Sequence, residues 1–281
     1  MSKARKRRTF LTAIAFILPF FILYTVFTIW PVIQGFYVSL HKWGLMGKQS
    51  FIGFDNYVKF IGDKNFWKAL KATTFFVIIT TPMLVILAMV LAMLANRVTK
   101  MKKSLRIIYY LPSVLSVSVA SFIAKYVFTP YRGLVNGVLH STGLIAADVE
   151  PQWLQDPNLV WITISVMTVW WTIGFSMLLF LSALQDISFD IYEAAMIDGL
   201  SKGGIFFRIF TRISTAPMVI CGMSVFMGYY NSFLWPVMTI TKNTELYQIM
   251  QLIRTLNSRY TGQYGVVLAA TLMSLTVPFG L

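Results

Sequence analysis

Apolar residues are grouped into six runs separated by polar segments: about Phe10–Leu40, Ala72–Ala95, Ile107–Thr129, Leu159–Leu184, Thr215–Met238 and Gly265–Leu281. A helix crossing a bilayer needs about 20 apolar residues, and the first five runs reach that length. The last run has 17 residues, about 25 Å of helix against a hydrocarbon core of about 30 Å. It stops without a basic flank, as a clipped carboxyl end would. The first run is too long for a signal-peptide core and has no small-residue cleavage site, so it reads as an uncleaved span. The pattern predicts an all-α integral membrane protein. A basic amino terminus (1–9) precedes one domain (10–281) of six transmembrane helices, and a long polar break (185–214) separates the fourth run from the fifth.

Composition agrees with this reading. Of 281 residues, 57% are hydrophobic and 12% charged, outside the range of soluble domains. The net charge of +14 lies beside the apolar runs, where it sets topology and meets anionic lipid rather than nucleic acid. Short cytoplasmic loops carry the Lys and Arg excess. The amino terminus has five basic residues, the Asn96–Arg106 loop five, and the 185–214 segment three. The opposite side has ten, six of them in the long Leu40–Lys71 segment, and long loops count for less. Both termini and the 185–214 loop are therefore expected in the cytoplasm. Trp43, Phe51, Phe54, Tyr57, Phe66 and Trp67, and then Trp153 and Trp161, suit packed segments at the opposite membrane–water boundary or, as the sharper reading, a surface that docks an outer partner.

Candidate chemistry is narrow. All ten carboxylates lie in the polar segments, so there is no intramembrane acid of the kind that ion-coupled carriers use. Lys125 is the one charge inside a predicted span, near its outer end, where its amine can snorkel or contact a substrate. No Gly-rich loop ends in Gly-Lys-Ser/Thr, so the chain is expected to bind no ATP. One cysteine, Cys221, and two distant histidines, His41 and His140, exclude a disulfide within the chain and a cysteine metal site. Asp190 and Glu193 share a helix face, but an exposed loop offers no pocket to tune them as an acid–base pair. Polar groups within the spans remain: Ser113, Thr168, Trp171, Thr172, Tyr229 and Asn231. Thr168, Trp171 and Thr172 fall at i, i+3 and i+4 on one helix face. Hydroxyls in membrane helices also bond to their own backbone, so each residue alone fits either a structural or a substrate-binding role.

The polar break contains Asp190-Ile-Tyr-Glu-Ala-Ala-Met-Ile-Asp-Gly199. Ala194 and Ala195 permit close approach of another surface, Glu193 and Asp198 are acidic, and Gly199 suits the positive φ just past a helix end. The pattern predicts a helix over about Phe189–Asp198, a turn at Gly199–Ser201 and a second helix over about Lys202–Ile213. This segment resembles the EAA coupling loop of the membrane permeases of bacterial ATP-binding-cassette importers. Tyr192, Glu193, Ala194, Ala195, Asp198, Gly199 and Ile209 lie in it, with the Glu-Ala-Ala, Gly and Ile at the family spacing. Thr211 and Arg212 stand where the family has Leu-Pro, and Ser188 stands where it usually has proline.

Trp30-Pro31, Phe51–Tyr57, Tyr110-Leu-Pro112, Trp153–Pro157 and Phe233–Pro236 resemble landmarks of the maltose and glycerol-phosphate branch. The amino half is most similar to the first permease of such a pair, and Asn231–Pro236 to the second. The resemblance implies a bacterial cell-membrane permease that pairs with a second, homologous permease. It also implies two cytoplasmic ATPase subunits carrying ATP and Mg, an extracytoplasmic solute-binding protein, and a carbohydrate substrate. Glycerol phosphate or a polyol would fit the same class, and a self-sufficient carrier is the reading from a different class. The resemblance places the polar span residues along the family's central cavity. Val117 and Val225 align there too but are apolar, so a maltose-type contact pattern is not expected at those points.

Overall fold

The computed structural model describes residues 3–97, 102–146, 148–185, 189–205, 208, 211–240 and 246–280. Helix α1 (Lys3–Tyr24) runs through a wide π turn at Thr25–Ile29 into α2 (Trp30–Ser39). Pro31 accounts for the wide turn, since it has no N–H for the carbonyl four residues back and its ring crowds that carbonyl. A hairpin follows, β1 (His41–Gly44) and β2 (Gly47–Phe51), and then α3 (Asp55–Ile61) and the long α4 (Lys64–Arg97). Next come α5 (Lys102–Tyr110), a 3₁₀ turn at Leu111–Val114, α6 (Val117–Val127), α7 (Leu134–Ser141) and α8 (Val160–Gln185). The remainder is α9 (Phe189–Ile197), α10 (Lys202–Ile205), α11 (Thr211–Ile213), α12 (Thr215–Tyr230), α13 (Leu234–Thr239), α14 (Ile249–Arg259), α15 (Tyr264–Ser274) and α16 (Thr276–Phe279).

The chain forms two compact units, one of Met1–Phe66 with Leu252–Leu281 and one of Trp67–Gln251. In the first, α2 packs on α15, where Gly265 lets the backbones meet. A Cβ there would lie 2.3 Å from the His41 carbonyl oxygen. Buried Asn56 ties α3 to the start of the hairpin by donating to the carbonyls of Ser39 (2.8 Å) and His41 (3.2 Å). Tyr57 and Ser39 share a hydroxyl hydrogen bond of 2.6 Å.

In the second unit, α4 buries a stripe of Thr73, Phe76, Val77, Thr80, Leu84, Ala88, Ala92 and Ala95 at three- and four-residue spacing. Its carboxyl half packs with Val169, Ile173, Met177, Phe180 and Leu184 of α8 and Cys221 of α12. Small residues on one side and large ones on the other let these helices interlock, because in a membrane close packing rather than water exclusion holds helices together. Thr80 and Ser165 add a buried interhelical hydroxyl pair at 2.7 Å.

Among the described residues, three helices are long and apolar enough to cross a membrane: Arg7–Ser39, Lys64–Asn96 and Val160–Gln185. The predicted third span is not one straight helix. Ser104–Val114 and Val117–Val127 meet at 98°, and they make a fourth candidate only if the bent pair counts as one span. The break has local causes. Pro112 tightens the chain into the 3₁₀ turn, Leu115 is extended (ψ 140), and Ser116 restarts the helix as an N-cap, its Oγ accepting from the Val119 N–H at 3.3 Å. The fifth and sixth runs form shorter apolar helices, Thr215–Tyr230 and Tyr264–Phe279. Among the described residues the all-α expectation meets one exception, the two-stranded hairpin of β1 and β2.

Candidate functional site

Four of the six polar span residues gather where α8, α12 and α13 meet. Thr168 is buried; its Oγ1 donates to the Ile164 carbonyl one turn back (2.6 Å) and accepts from the Trp235 indole N–H (3.0 Å). Thr172 likewise donates to the Thr168 carbonyl (2.7 Å) and shares a short hydrogen bond with the Tyr229 hydroxyl. A threonine hydroxyl has one proton, so Tyr229 must be the donor in that pair, and its own oxygen keeps acceptor capacity. The Trp171 N–H donates to the Leu115 carbonyl (3.1 Å), which anchors α8 to the break before α6. The Trp171 and Trp235 rings lie 5.3 Å apart at 34°, and Tyr229 packs 6.0 Å from Phe76.

Four of the six predicted span residues, Thr168, Trp171, Thr172 and Tyr229, therefore form one bonded cluster. Ser113 lies apart on the 3₁₀ turn, its buried hydroxyl without a hydrogen-bond partner among the described residues. Asn231 does not join the cluster; exposed at the end of α12, it donates to its own helix at the Met227 carbonyl (3.0 Å). The residue that sequence reasoning missed is Trp235, noted only as a landmark. Its signal was an indole N–H within an apolar run, since a buried indole nitrogen usually finds an acceptor. Gly174 permits the close crossing of α5 and α8, because a Cβ there would sit 2.3 Å from the Tyr109 carbonyl oxygen.

The polar break builds a helix–turn–helix. α9 carries Tyr192, Glu193, Ala194 and Ala195 and ends one residue earlier than predicted, at Ile197. Gly199 adopts φ +76, its N–H bonding the Met196 carbonyl (3.1 Å) while the Leu200 N–H bonds the Ala195 carbonyl (3.0 Å). This is a Schellman closure, which needs a left-handed residue at that position. Ser201 then starts α10, accepting from the Gly204 N–H at 3.2 Å. Ala195 and Ile205 are buried, whereas Glu193, Asp198, Ile191, Met196 and Ile197 are exposed. The predicted second helix is represented by α10, with α11 further on, and Ile209 and Ser188 lie outside the described residues.

A third polar cluster ties the segment between α6 and α8. Glu150 accepts from the Tyr131 N–H (2.7 Å) and from Asn136 Nδ2 (2.6 Å), and pairs with His140 Nε2 at 3.2 Å. Trp153 donates to Asn136 from the other side. The Tyr131 amide above all, with Asn136 and His140, holds the Glu150 carboxyl below its usual range.

Long apolar helices, a cluster of hydroxyls and indoles packed between them, and an exposed helical hairpin define a multipass membrane protein. Residues 61–279 match the family of binding-protein-dependent transport system inner membrane components, and the chain belongs to that family. It is 31% identical over 240 residues to a probable ABC transporter permease protein, YesP, of Bacillus subtilis, covering 83% of this chain and 76% of that one. It is 34% identical over 193 residues to the lactose transport system permease protein LacF of Rhizobium radiobacter, covering 68% and 63%. Its fold is also similar to a chain of the crystal structure of a bacterial alginate ABC transporter in complex with an alginate pentasaccharide-bound periplasmic protein. The TM-score is 0.77 at 22% identity, over 99% of this chain and 93% of that one.

Proposed function

We propose that this chain is the membrane permease of an ATP-driven importer that receives a sugar or oligosaccharide from an extracytoplasmic binding protein and passes it to the cytoplasm. The family match over residues 61–279, together with relatives named for sugar transport, carries the reading. The arrangement in the membrane is six crossings with both termini cytoplasmic. In this reading the three long helices are the first, second and fourth crossings, the bent pair is the third, and the two shorter apolar helices are the last two.

A second, homologous permease completes the path, and two ATPase subunits, which bind ATP and Mg, engage α9 and α10. Support comes from the shape of that hairpin. Its turn is fixed by Gly199, its acidic residues Glu193 and Asp198 are exposed, and so are its apolar Ile191 and Ile197. Tyr192, Ala194 and Ala195 belong to the same coupling segment in this reading, as does Ile209, which lies outside the described residues. Substrate contact falls to Tyr229 and to the Trp171 indole, which buried Trp235 braces, with Ser113 and Asn231 nearer the ends of the path. Aromatic faces and hydroxyl acceptors suit sugar rings. Thr168 and Thr172, whose protons go to their own helix, hold the cluster in place. Transport follows when nucleotide and loaded binding protein favour opposite arrangements of one two-state packing.

The test is recovery of the tagged chain from gently solubilised native membranes, with ATPase activity assayed across sugars and glycerol phosphate. An ATPase and a second permease should co-purify, and one sugar-loaded binding protein should stimulate hydrolysis. Recovery of the chain alone would remove the coupling role of α9 and α10.

A further inference from the structure

Beside the span ends of the first unit lies a cavity of about 440 Å³, which shares no residue with the polar cluster of α8, α12 and α13. The hairpin supplies Lys42, Trp43 and Gln49 to its wall, and the helical side supplies Lys59 and Gln263. Its walls are fixed by buried groups. His41, 3% exposed, bonds the Tyr37 carbonyl through Nδ1 (2.7 Å), and Asn56 clamps the strand start. Two glycines stand in its wall: at Gly44 a Cβ would lie 2.9 Å from Gln49 Nε2, and Gly262 adopts φ +82.

The charge in this cavity is of one sign. Lys42 and Lys59 line it, no carboxylate does, and neither lysine has an acidic partner among the described residues. Lys59 instead lies over the Tyr260 ring at 4.1 Å, which leaves its charge available. The location of the cavity points the same way. The apolar helix Arg7–Ser39 ends two residues before the cavity begins, and α15, which starts at it, packs alongside α2. The cavity thus sits at a membrane–water boundary, with the indole of Trp43 at the depth where such rings settle. Leu45 and Met46 at the hairpin tip are 76% and 97% exposed, an apolar edge next to a cationic cavity.

From these features we infer that this cavity binds a phosphate-bearing group, supplied by the headgroup of an anionic glycerophospholipid. Lys42 and Lys59 neutralise the phosphate, the Gln49 and Gln263 amides bond its oxygens or the glycerol hydroxyls, and Leu45 and Met46 lie along the acyl chains. The ammonium pair selects against a zwitterionic headgroup, whose own cation competes for the phosphate. This assignment does not depend on the transported substrate.

The test uses the complex purified from native membranes, delipidated in neutral detergent, and titrated with short-chain phosphatidylglycerol, phosphatidylcholine of equal chain length, or inorganic phosphate. Native mass spectrometry counts bound lipid, and thermal unfolding reads stabilisation. Phosphatidylglycerol should be retained and raise the melting temperature, phosphatidylcholine should do so weakly, and K42Q/K59Q should weaken phosphatidylglycerol roughly tenfold or more. Gln263→Glu, which keeps both lysines and adds a carboxylate at the wall, should weaken it too, so the idea survives a folding defect in the double variant. Inorganic phosphate that protects as well as the lipid would keep the anion site and assign it to free phosphate. Lipid binding unchanged in both variants, or reduced equally by K64Q/K71Q outside the cavity, would overturn the site. So would loss of only the binding protein from K42Q/K59Q with lipid retained.

Discussion

At the scale of single residues, the proposed path separates groups that would hold it from groups that would face it. Thr172→Val removes the hydroxyl shared with Tyr229 but keeps the shape. It should cost about 0.6 kcal/mol, the usual worth of an interhelical hydrogen bond in a membrane, measurable in a denaturant titration of the detergent-solubilised protein. Tyr229→Phe should cost a similar amount and in addition lower transport, because it removes the acceptor left for a substrate hydroxyl; equal transport by the two variants would place Tyr229 among the structural groups. Gly174→Ala is a harsher change, since its methyl would collide with the Tyr109 carbonyl oxygen at 2.3 Å. Overpacking of this kind costs about 1–3 kcal/mol, and the yield of folded protein on size exclusion should fall. Glu150 gives a pH dependence with a definite sign. Its carboxyl is held below the usual range in the folded state, chiefly by the Tyr131 amide. Its contribution is therefore present above the ordinary carboxylate pKa, about 4.3, and is lost as pH falls through the lowered folded value. Protection of the Tyr131 amide, read from its exchange rate relative to the intrinsic rate at the same pH, should fall over that acidic window, and in Glu150→Gln the fall should vanish.

At the scale of elements, the turn between α9 and α10 is the most specific prediction. Gly199 is at φ +76 with open space where a Cβ would stand, so Gly199→Leu strains the turn by about 1–2 kcal/mol without a clash. The variant should reach the membrane and assemble, yet lose substrate-stimulated ATP hydrolysis; near-normal hydrolysis would show the turn to be dispensable. Sequence patterning made this element readable because its cues are local: a helix former run, a glycine, then a serine. The bend before α6 was less readable. Hydropathy averages over a window and carries no direction, so 107–129 scored as one span although Pro112 and Ser116 stood there as stop and start signals. The hairpin of β1 and β2 was hidden for another reason, since four- and five-residue strands rich in Lys, Gln and Gly lack the alternation that marks a half-buried strand.

At the scale of the whole molecule, the apolar runs were enough to place the chain in the membrane. The polar span face on α8 was legible because the helical period alone puts residues at i, i+3 and i+4 on a shared side. Its partners were not, because Tyr229 and Trp235 reach Thr172 and Thr168 across 57 and 67 residues of chain. The amphipathic stripe of α4 faces α8 and α12, so much of the second unit's stability lies in packing within the chain. Arg7–Ser39, by contrast, has no buried residue in its most apolar window.

The central claim is that this chain is a transport path driven from outside itself, and it is tested most directly by uptake into proteoliposomes. Vesicles holding the co-purified complex, with ATP inside and sugar-loaded binding protein outside, should accumulate sugar, and omitting ATP or the binding protein should stop it. Vesicles holding this chain alone should show no uptake above empty liposomes. Sugar accumulation by the chain alone, without ATP, would contradict the claim and make the chain a self-sufficient carrier.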